Sequence, residues 1–282
     1  MNALCKMLPV CSLPLCVLLA TAEVGVSDKS KFTFTDATAE VGLADALHGA
    51  LNHAVAWGDF DNDGRLDLFL GNFADRPNQP LDGVNRLFRQ VEGGKFVPFP
   101  CLSVERRGRA SGAVFADLDN DGDLDLYVAN NTLPRPGPKE PQHSAQAEPS
   151  RLYRNDGGGK FVDISQECGA CPPDLYRTRD IGVFDYDNDG LLDLFITQDP
   201  LLQRDKVPCR SRLFRNLGGL KFQDVTDQVG LPDDIAAFGI AVADLNGDRR
   251  PDLFVCGSNR LFLSQPGNTY REAEGLRDVF AH

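Results

Sequence analysis

An acidic phrase written four times constrains this chain more than any other feature. The copies run Asp59-Phe-Asp-Asn-Asp-Gly-Arg-Leu-Asp67, Asp117-Leu-Asp-Asn-Asp-Gly-Asp-Leu-Asp125, Asp185-Tyr-Asp-Asn-Asp-Gly-Leu-Leu-Asp193 and Asp244-Leu-Asn-Gly-Asp-Arg-Arg-Pro-Asp252, with starts 58, 68 and 59 residues apart. The longer gap holds the Pro-rich stretch Leu133 to Pro149, which reads as an exposed insertion. Self-similarity at this period signals a repeat architecture, in which each unit buries its faces only against its neighbours.

More than the acidic phrase repeats. A short apolar run precedes each copy (Ala54–Trp57, Ala113–Ala116, Ile181–Phe184, Ile240–Ala243), and another follows it (Leu68–Leu70, Leu126–Val128, Leu194–Ile196, Leu253–Val255). A third element comes at Asn85–Phe88, Ser150–Tyr153, Ser211–Phe214 and Asn259–Phe262. Gly-rich turns then lead to a fourth at Lys95–Val97, Lys160–Val162, Lys221–Gln223 and, more loosely, Tyr270–Glu272. The runs are short, rich in aromatic and β-branched residues and bounded by turn formers, so they predict strands. The expected fold is all-β: a β-propeller-type array of four four-stranded blades, spanning 32–282, with the acidic phrases as hairpin loops.

Within each loop the oxygen donors alternate. Position 1 is Asp59, Asp117, Asp185 or Asp244, and position 3 is Asp61, Asp119, Asp187 or Asn246. Position 5 is Asp63, Asp121, Asp189 or Asp248, and position 9 is Asp67, Asp125, Asp193 or Asp252. Position 7, at Arg65, Asp123, Leu191 and Arg250, offers its backbone carbonyl. Alternate residues of a tight turn converge on one point, and Ca²⁺ takes six to eight such hard oxygens. Gly64, Gly122 and Gly190 at position 6 permit the turn. Clustered carboxylates repel one another without a counter-charge, and Mg²⁺ with its smaller octahedral shell suits the donors less well. The expectation is up to four calcium ions. An EF-hand is excluded because position 12 is Leu70, Val128, Ile196 or Val255, none of which binds metal. Loop 4, with Asn246, Gly247, Arg249 and Arg250, is expected to bind weakest.

The loop phrase, the Asn/Ser-Arg-Leu-Phe/Tyr phrase and the Gly-Gly-x-Lys-Phe-x-Asp phrase together resemble the FG-GAP/VCBS repeats of integrin α-chain propellers and of cartilage acidic protein-like secreted proteins. The resemblance covers about residues 32–280. It implies a calcium-stabilised propeller, often extracellular, with binding surfaces on its loops. Propellers of that family commonly carry more blades than the four found here.

Composition narrows the function. A net charge of −12 argues against nucleic-acid binding, which draws its affinity from Lys and Arg on phosphates. Lys6, the apolar run Met7–Ala20 and the Ala20-Thr-Ala22 pattern read as a signal peptide over 1–22, followed by a linker over 23–31. The run is too short to span a bilayer, and the expected location is extracellular. Five cysteines remain after the signal: Cys101, Cys168, Cys171, Cys209 and Cys256. Cys168-Gly-Ala-Cys171 lacks the second pair or His cluster of a zinc site and reads as a loop-closing disulfide or two buried thiols.

The leading function is a secreted, non-catalytic adhesion or matrix interaction module, recognising an extracellular protein or glycan through loops 72–84, 130–150 and 199–209. The alternatives are a propeller-fold polysaccharide lyase or hydrolase, and a calcium-dependent lectin. His48, His53, His143 and His282 are scattered and match no hydrolase motif. His53 reads as a satisfied strand-end residue and Arg106, Arg107 and Arg109 as a solvated basic face. Asn130-Asn-Thr132 is an N-glycosylation sequon. Finally, Lys31–Asp36 with Glu40–Leu43 repeats the phrase Lys221–Thr226 with Gln228–Leu231, which predicts an outer strand at both ends of the array. That surplus strand suggests an open arc that self-associates or docks another propeller segment.

Overall fold

In a computed structural model of the chain, residues 33–74, 83–131, 149–199 and 209–274 are described. The chain divides into two compact units, 1–36 and 37–282. The signal peptide and linker expected over 1–31 lie outside the described residues, as do most of the three proposed recognition loops. Among the described residues no helix is long and apolar enough to cross a membrane.

Among the described residues sixteen strands follow one short helix, α1 (Ala44–Leu47). Blade 1 comprises β1 (Asn52–Gly58), β2 (Asp67–Ala74), β3 (Arg86–Val91) and β4 (Lys95–Phe99). Blade 2 comprises β5 (Gly108–Ala116), β6 (Asp125–Asn130), β7 (Arg151–Asn155) and β8 (Phe161–Asp163). Blade 3 holds β9 (Thr178–Phe184), β10 (Asp193–Gln198), β11 (Arg212–Asn216) and β12 (Phe222–Asp224). Blade 4 holds β13 (Gly239–Ala243), β14 (Asp252–Cys256), β15 (Arg260–Gln265) and β16 (Thr269–Glu272). Each blade is an antiparallel meander, and each acidic phrase is the hairpin joining its first two strands. The blades are not wholly separate sheets. The end of β2 pairs with β5 through Phe73 with Arg109 and Ala74 with Gly108, so blades 1 and 2 share one ladder.

The second strands β6 and β10 are buried along their whole length, as expected for strands covered on both faces. Apolar side chains stack between successive blades: Phe60, Phe69 and Leu87 of blade 1 with Leu126, Val128 and Tyr153 of blade 2. Tyr127 and Leu152 pack with Leu194, Ile196 and Phe214 of blade 3. Phe195 and Leu213 pack with Leu253, Val255 and Phe262 of blade 4. No described apolar cluster joins blade 4 to blade 1.

The turn leaving each repeat hooks onto the outer strand of the next. The Cys168 carbonyl accepts from Phe222 N–H at 2.7 Å and the Val229 carbonyl from Tyr270 N–H at 2.7 Å. Gly169 and Gly230 hold these turns at φ +86° and +79°, and a Cβ on Gly169 would lie 2.2 Å from the Phe222 carbonyl oxygen, which only glycine avoids. At the start of the array the Val41 carbonyl does the same for Phe96 N–H at 2.8 Å. The expected N-terminal outer strand ran Lys31–Asp36; Lys31 and Phe32 lie outside the described residues, and Thr33–Asp36 form no strand. The Glu40–Leu43 phrase serves instead as the hook of blade 1. Between blades 1 and 2 the hook is a side chain, Ser103 Oγ donating to the Phe161 carbonyl at 2.7 Å.

Candidate metal centres

The acidic loops are built by side chains folding back onto their own backbone. The position 1 carboxylate accepts the N–H groups of positions 5 and 6: Asp59 from Asp63 (3.0 Å) and Gly64 (2.7 Å), Asp117 from Asp121 and Gly122 (both 3.1 Å), and Asp185 from Asp189 (3.2 Å) and Gly190 (2.9 Å). The position 5 carboxylate accepts the N–H of position 7, from Arg65, Asp123, Leu191 and Arg250 in turn. Asn62, Asn120 and Asn188 at position 4 take left-handed backbone at φ +58°, +60° and +58°, a conformation Asn tolerates better than most residues. Position 6 is left-handed in all four loops, and in loop 4 the residue there is Arg249 at φ +66°.

Position 9 has a structural task besides any ligation. Its Oδ2 accepts the position 2 N–H and its Oδ1 the N–H of the residue ending the third strand or next to its end. Asp125 is held by Leu118 (3.2 Å) and Asn155 (2.9 Å), Asp193 by Tyr186 (2.9 Å) and Asn216 (2.8 Å). Asp67 and Asp252 repeat the pattern with Phe60 and Gln90, and with Leu245 and Ser264. All four are buried. Burial pushes Asp67 up to about 6 and Asp125 and Asp193 up to about 7, against the two backbone hydrogen bonds each receives. Burial, with neighbouring carboxylates, also raises Asp119, and it raises Asp187 although Arg215 opposes the shift. Loops 1, 2 and 3 thus carry more negative charge than their surroundings solvate.

Three loops gather oxygen donors closely enough for one ion: Asp59, Asp61 and Asp67; Asp117, Asp119 and Asp121; Asp185, Asp187 and Asp193. In the same three loops the position 3 Oδ1, on Asp61, Asp119 and Asp187, is buried with no hydrogen-bond partner. Such an orphaned carboxylate oxygen is costly unless something pairs with it, and a cation at the loop centre would. The donor sets therefore fit Ca²⁺. Loop 4 keeps the same backbone, with Asp244 accepting from Gly247, Asp248 and Arg249. Its Asp244, Asn246 and Asp248 are exposed, and Asn246 donates to Asp248 at 3.1 Å instead of leaving an orphaned oxygen.

Several polar residues around the loops carried no role in the sequence reading. Arg215 pairs with Asp187 at 2.8 Å and Asp189 at 2.9 Å, and Arg89 with Asp61 at 3.5 Å. Their signal was the second arginine of the third-strand phrase, present in three of the units. The loops are also tied to one another. Asn62 donates to the Gly122 carbonyl and to Asp123 (2.7 Å), and Asn120 to the Gly190 carbonyl (3.0 Å). The Asp123 carboxylate therefore faces loop 1. Buried Asn155 and Asn216 bridge successive blades by donating to the Phe60 and Leu118 carbonyls at 2.8 and 2.6 Å.

Other singled-out residues resolve simply. His53 stacks on Phe73 with ring centroids 4.4 Å apart, and Arg109 lies over the other partner of that ring contact, 4.6 Å from the Phe73 centroid. Cys168 and Cys171 are free thiols; Cys168 is buried, donating to the Ser165 carbonyl at 3.5 Å and accepting from Ala170 N–H at 3.4 Å. Asn130 of the sequon is buried and donates to the Pro149 carbonyl at 2.8 Å, so the folded chain does not present it for glycosylation.

Cartilage acidic protein 1 of Xenopus tropicalis is 28% identical over 174 residues, covering 60% of this chain and 24% of that protein. The human protein of the same name is 29% identical over 169 residues, covering 58% and 22%. The chain thus spans about a quarter of these relatives' length. Among solved structures, the V. cholerae biofilm matrix protein Bap1 aligns over 78% of this chain and 30% of its own, at 17% identity and a TM-score of 0.38. A family model described as FG-GAP-like repeat matches residues 73–128, 143–196 and 203–255, more than half of the sequence, and the chain belongs to that family.

Proposed function

We propose that the chain is a secreted calcium-binding array that serves as a non-catalytic interaction module in the extracellular matrix or at the cell surface. The observation that carries the calcium reading is the orphaned, buried Oδ1 at position 3 of three loops, Asp61, Asp119 and Asp187. Positions 1, 3, 5 and 9 and the position 7 carbonyl would hold the ion: in loop 1 Asp59, Asp61, Asp63, Asp67 and Arg65, with the corresponding residues in loops 2 and 3. The ion acts as structural counter-charge, fixing each hairpin and, through the Asn62 and Asn120 bridges, its neighbour. Loop 4 ligates last or not at all, because its donors at positions 1, 3 and 5 are exposed and two of them satisfy each other. The matrix assignment draws on the relatives, whose name places them in cartilage and marks them as acidic, as this chain is.

The decisive measurement is thermal unfolding in calcium and in a metal-stripped, chelated buffer. An extracellular site with a dissociation constant of about 10⁻⁴ M in about 2 mM Ca²⁺ adds about 1.8 kcal/mol by mass action. Three such sites would together add about 5 kcal/mol and raise the melting temperature by roughly 11–22 °C. Coincident curves after verified metal removal would overturn the calcium reading. The module reading is tested by capture from a cartilage matrix extract with and without chelator, where calcium-dependent retention of a defined partner is expected. Turnover of a polysaccharide by the purified chain would replace that reading with the enzymatic one.

A further inference from the structure

We propose that the outward face of blade 1 is a docking site for blade 4 of a second copy of this chain, so that copies extend the array head to tail. The inference rests on blade packing and is independent of the calcium reading.

The leading half of every blade junction uses the same two positions on the first strand, two and four residues before the acidic loop. In blade 2 these are Phe115 and Ala113, packed on the apolar cluster that includes Phe60 and Phe69 of blade 1. In blade 3 they are Val183 and Ile181, packed on the cluster of Tyr127 and Leu152. In blade 4 they are Val242 and Ile240, packed on that of Phe195 and Leu213. In blade 1 the same positions are Trp57 and Val55, which are 54% and 52% exposed. The turn and helix before β1 cover only the outer part of this face, where Val41, Leu43, Ala46 and Leu47 meet Leu68, Leu70, Phe88 and Phe96. A tryptophan and a valine side by side on an open sheet face form an apolar patch of the kind that seeks a partner.

The trailing half of each junction is equally regular. The second residue of the loop is buried beneath the following blade: Phe60, Leu118 and Tyr186. Its counterpart in blade 4, Leu245, is 57% exposed, and Ala241 on the adjoining strand is exposed too. A polar bridge is added at the first two of the three junctions. Asn155 and Asn216, at the ends of β7 and β11, donate to the carbonyls of Phe60 and Leu118. The same register position in blade 1 is Gln90, also an amide donor, and the Leu245 carbonyl receives no side-chain donor among the described residues. Blade 1 therefore presents a leading half without a trailing one, blade 4 presents the reverse, and the two are the halves of a junction this chain forms three times within itself. A contact between different faces of identical copies is heterologous and propagates until it is capped or closes.

Trp57 is the only tryptophan of the chain, so its emission reports directly on the proposed face. In sedimentation velocity with calcium, the full chain is expected to form dimers and larger species as concentration rises, with a parallel blue shift of Trp57 emission. Trp57→Asp blocks the leading half and Leu245→Asp the trailing half. Leu245 is largely exposed and Trp57 half-exposed with its ring edge-on to Phe96 at 5.7 Å, so both variants should keep the wild-type circular dichroism spectrum and a cooperative melt. Each variant alone should be monomeric. Mixed one to one they should form a dimer and nothing larger, with a blue shift that arises wholly from the Leu245→Asp component, since the other has no tryptophan. A wild-type chain that stays monomeric with invariant emission overturns the proposal, whether the face is open or closed by blade 4 of the same molecule. So does self-association that survives in either single variant, or a mixture that remains monomeric.

Discussion

Asn216→Ala removes one of the bridges between blades and tests whether they carry the stability of the array. Asn216 is buried, and its side chain makes three hydrogen bonds: to the Leu118 carbonyl of the neighbouring blade at 2.6 Å, to the Leu192 carbonyl at 3.0 Å, and from Gly218 N–H at 2.9 Å. A buried hydrogen bond contributes roughly 0.5–1.5 kcal/mol net, and a partner left unsatisfied costs more, about 1–3 kcal/mol. Leu192 and Gly218 lie near the loop rim, where water can replace the lost partner. The Leu118 carbonyl lies under a side chain that is 1% exposed and has no such replacement. The sum is about 3 kcal/mol. For a domain of about 250 residues that lowers the melting temperature by roughly 6–12 °C. Gln90→Ala, at a dilution where the chain is monomeric, is the control, because Gln90 has the same register position but no side-chain hydrogen bond among the described residues, and surface changes of that kind usually stay within about 0.5 kcal/mol. Both variants should be melted by circular dichroism in saturating calcium, so that metal occupancy does not enter. Equal losses from Asn216→Ala and Gln90→Ala would refute the argument that the bridge fastens blade 3 to blade 2.

Asp121→Ala should abolish one calcium site by calorimetry, whereas Asp248→Ala in loop 4 should leave the stoichiometry unchanged; equal losses would show that convergence and orphaned oxygens do not rank these loops. Arg249→Gly should stabilise the protein by up to about 1 kcal/mol, because glycine takes φ +66° without the Cβ penalty, and a lower melting temperature would indicate that the Arg249 side chain contributes more than its strain costs. Gly112→Ala should destabilise by about 1–3 kcal/mol or more, since its Cβ would stand 2.6 Å from the Arg179 carbonyl of blade 3; a neutral result would mean that the two blades separate freely. Asp67, Asp125 and Asp193, raised from 3.8 to about 6, 7 and 7, keep protons in the folded state that the unfolded chain releases. Metal-free stability should therefore fall as pH rises from about 4.5 to 7.5, while saturating calcium should flatten that fall; a chelated protein whose melting temperature rises steadily over this window would contradict the assignment.

The strands were legible because alternation and turn residues are local signals. β6 and β10, for instance, are apolar runs set directly after an acidic loop, and only their completeness of burial needed the structure. The loop register was legible for the same reason, since Asp59, Asp63 and Gly64 interact within six residues of chain. What the sequence hid depends on contacts far apart along the chain. Asn216 reaches Leu118 across 98 positions, and nothing in its own phrase distinguishes a bridging Asn from a turn former. The shared ladder of β2 and β5 depends on Phe73 and Arg109 meeting at a sheet end. Thr33–Asp36 carry the composition of an outer strand yet form none, and composition alone does not say whether a segment finds a partner strand. Loop 4 shows a subtler limit. Its backbone follows the other three even at Arg249, so the phrase predicted the turn correctly, and its Asn246 and two arginines already marked it as the weakest site, while the exposure of Asp244, Asn246 and Asp248 is something a nine-residue pattern does not encode.

The hooks between repeats put the written unit and the folded unit out of phase. Blade 3 is closed by a turn at Cys168 that belongs to the repeat before it, and blade 4 by one at Val229. Cutting or splicing the gene at the sequence boundary would strand each blade without its clasp and leave the clasp attached to the wrong neighbour. A viable module therefore begins one turn upstream of where its repeat begins. Shuffling of such units is viable only when the turn travels with the blade it fastens, so an insertion placed between the turn and that blade is the one that should break the array.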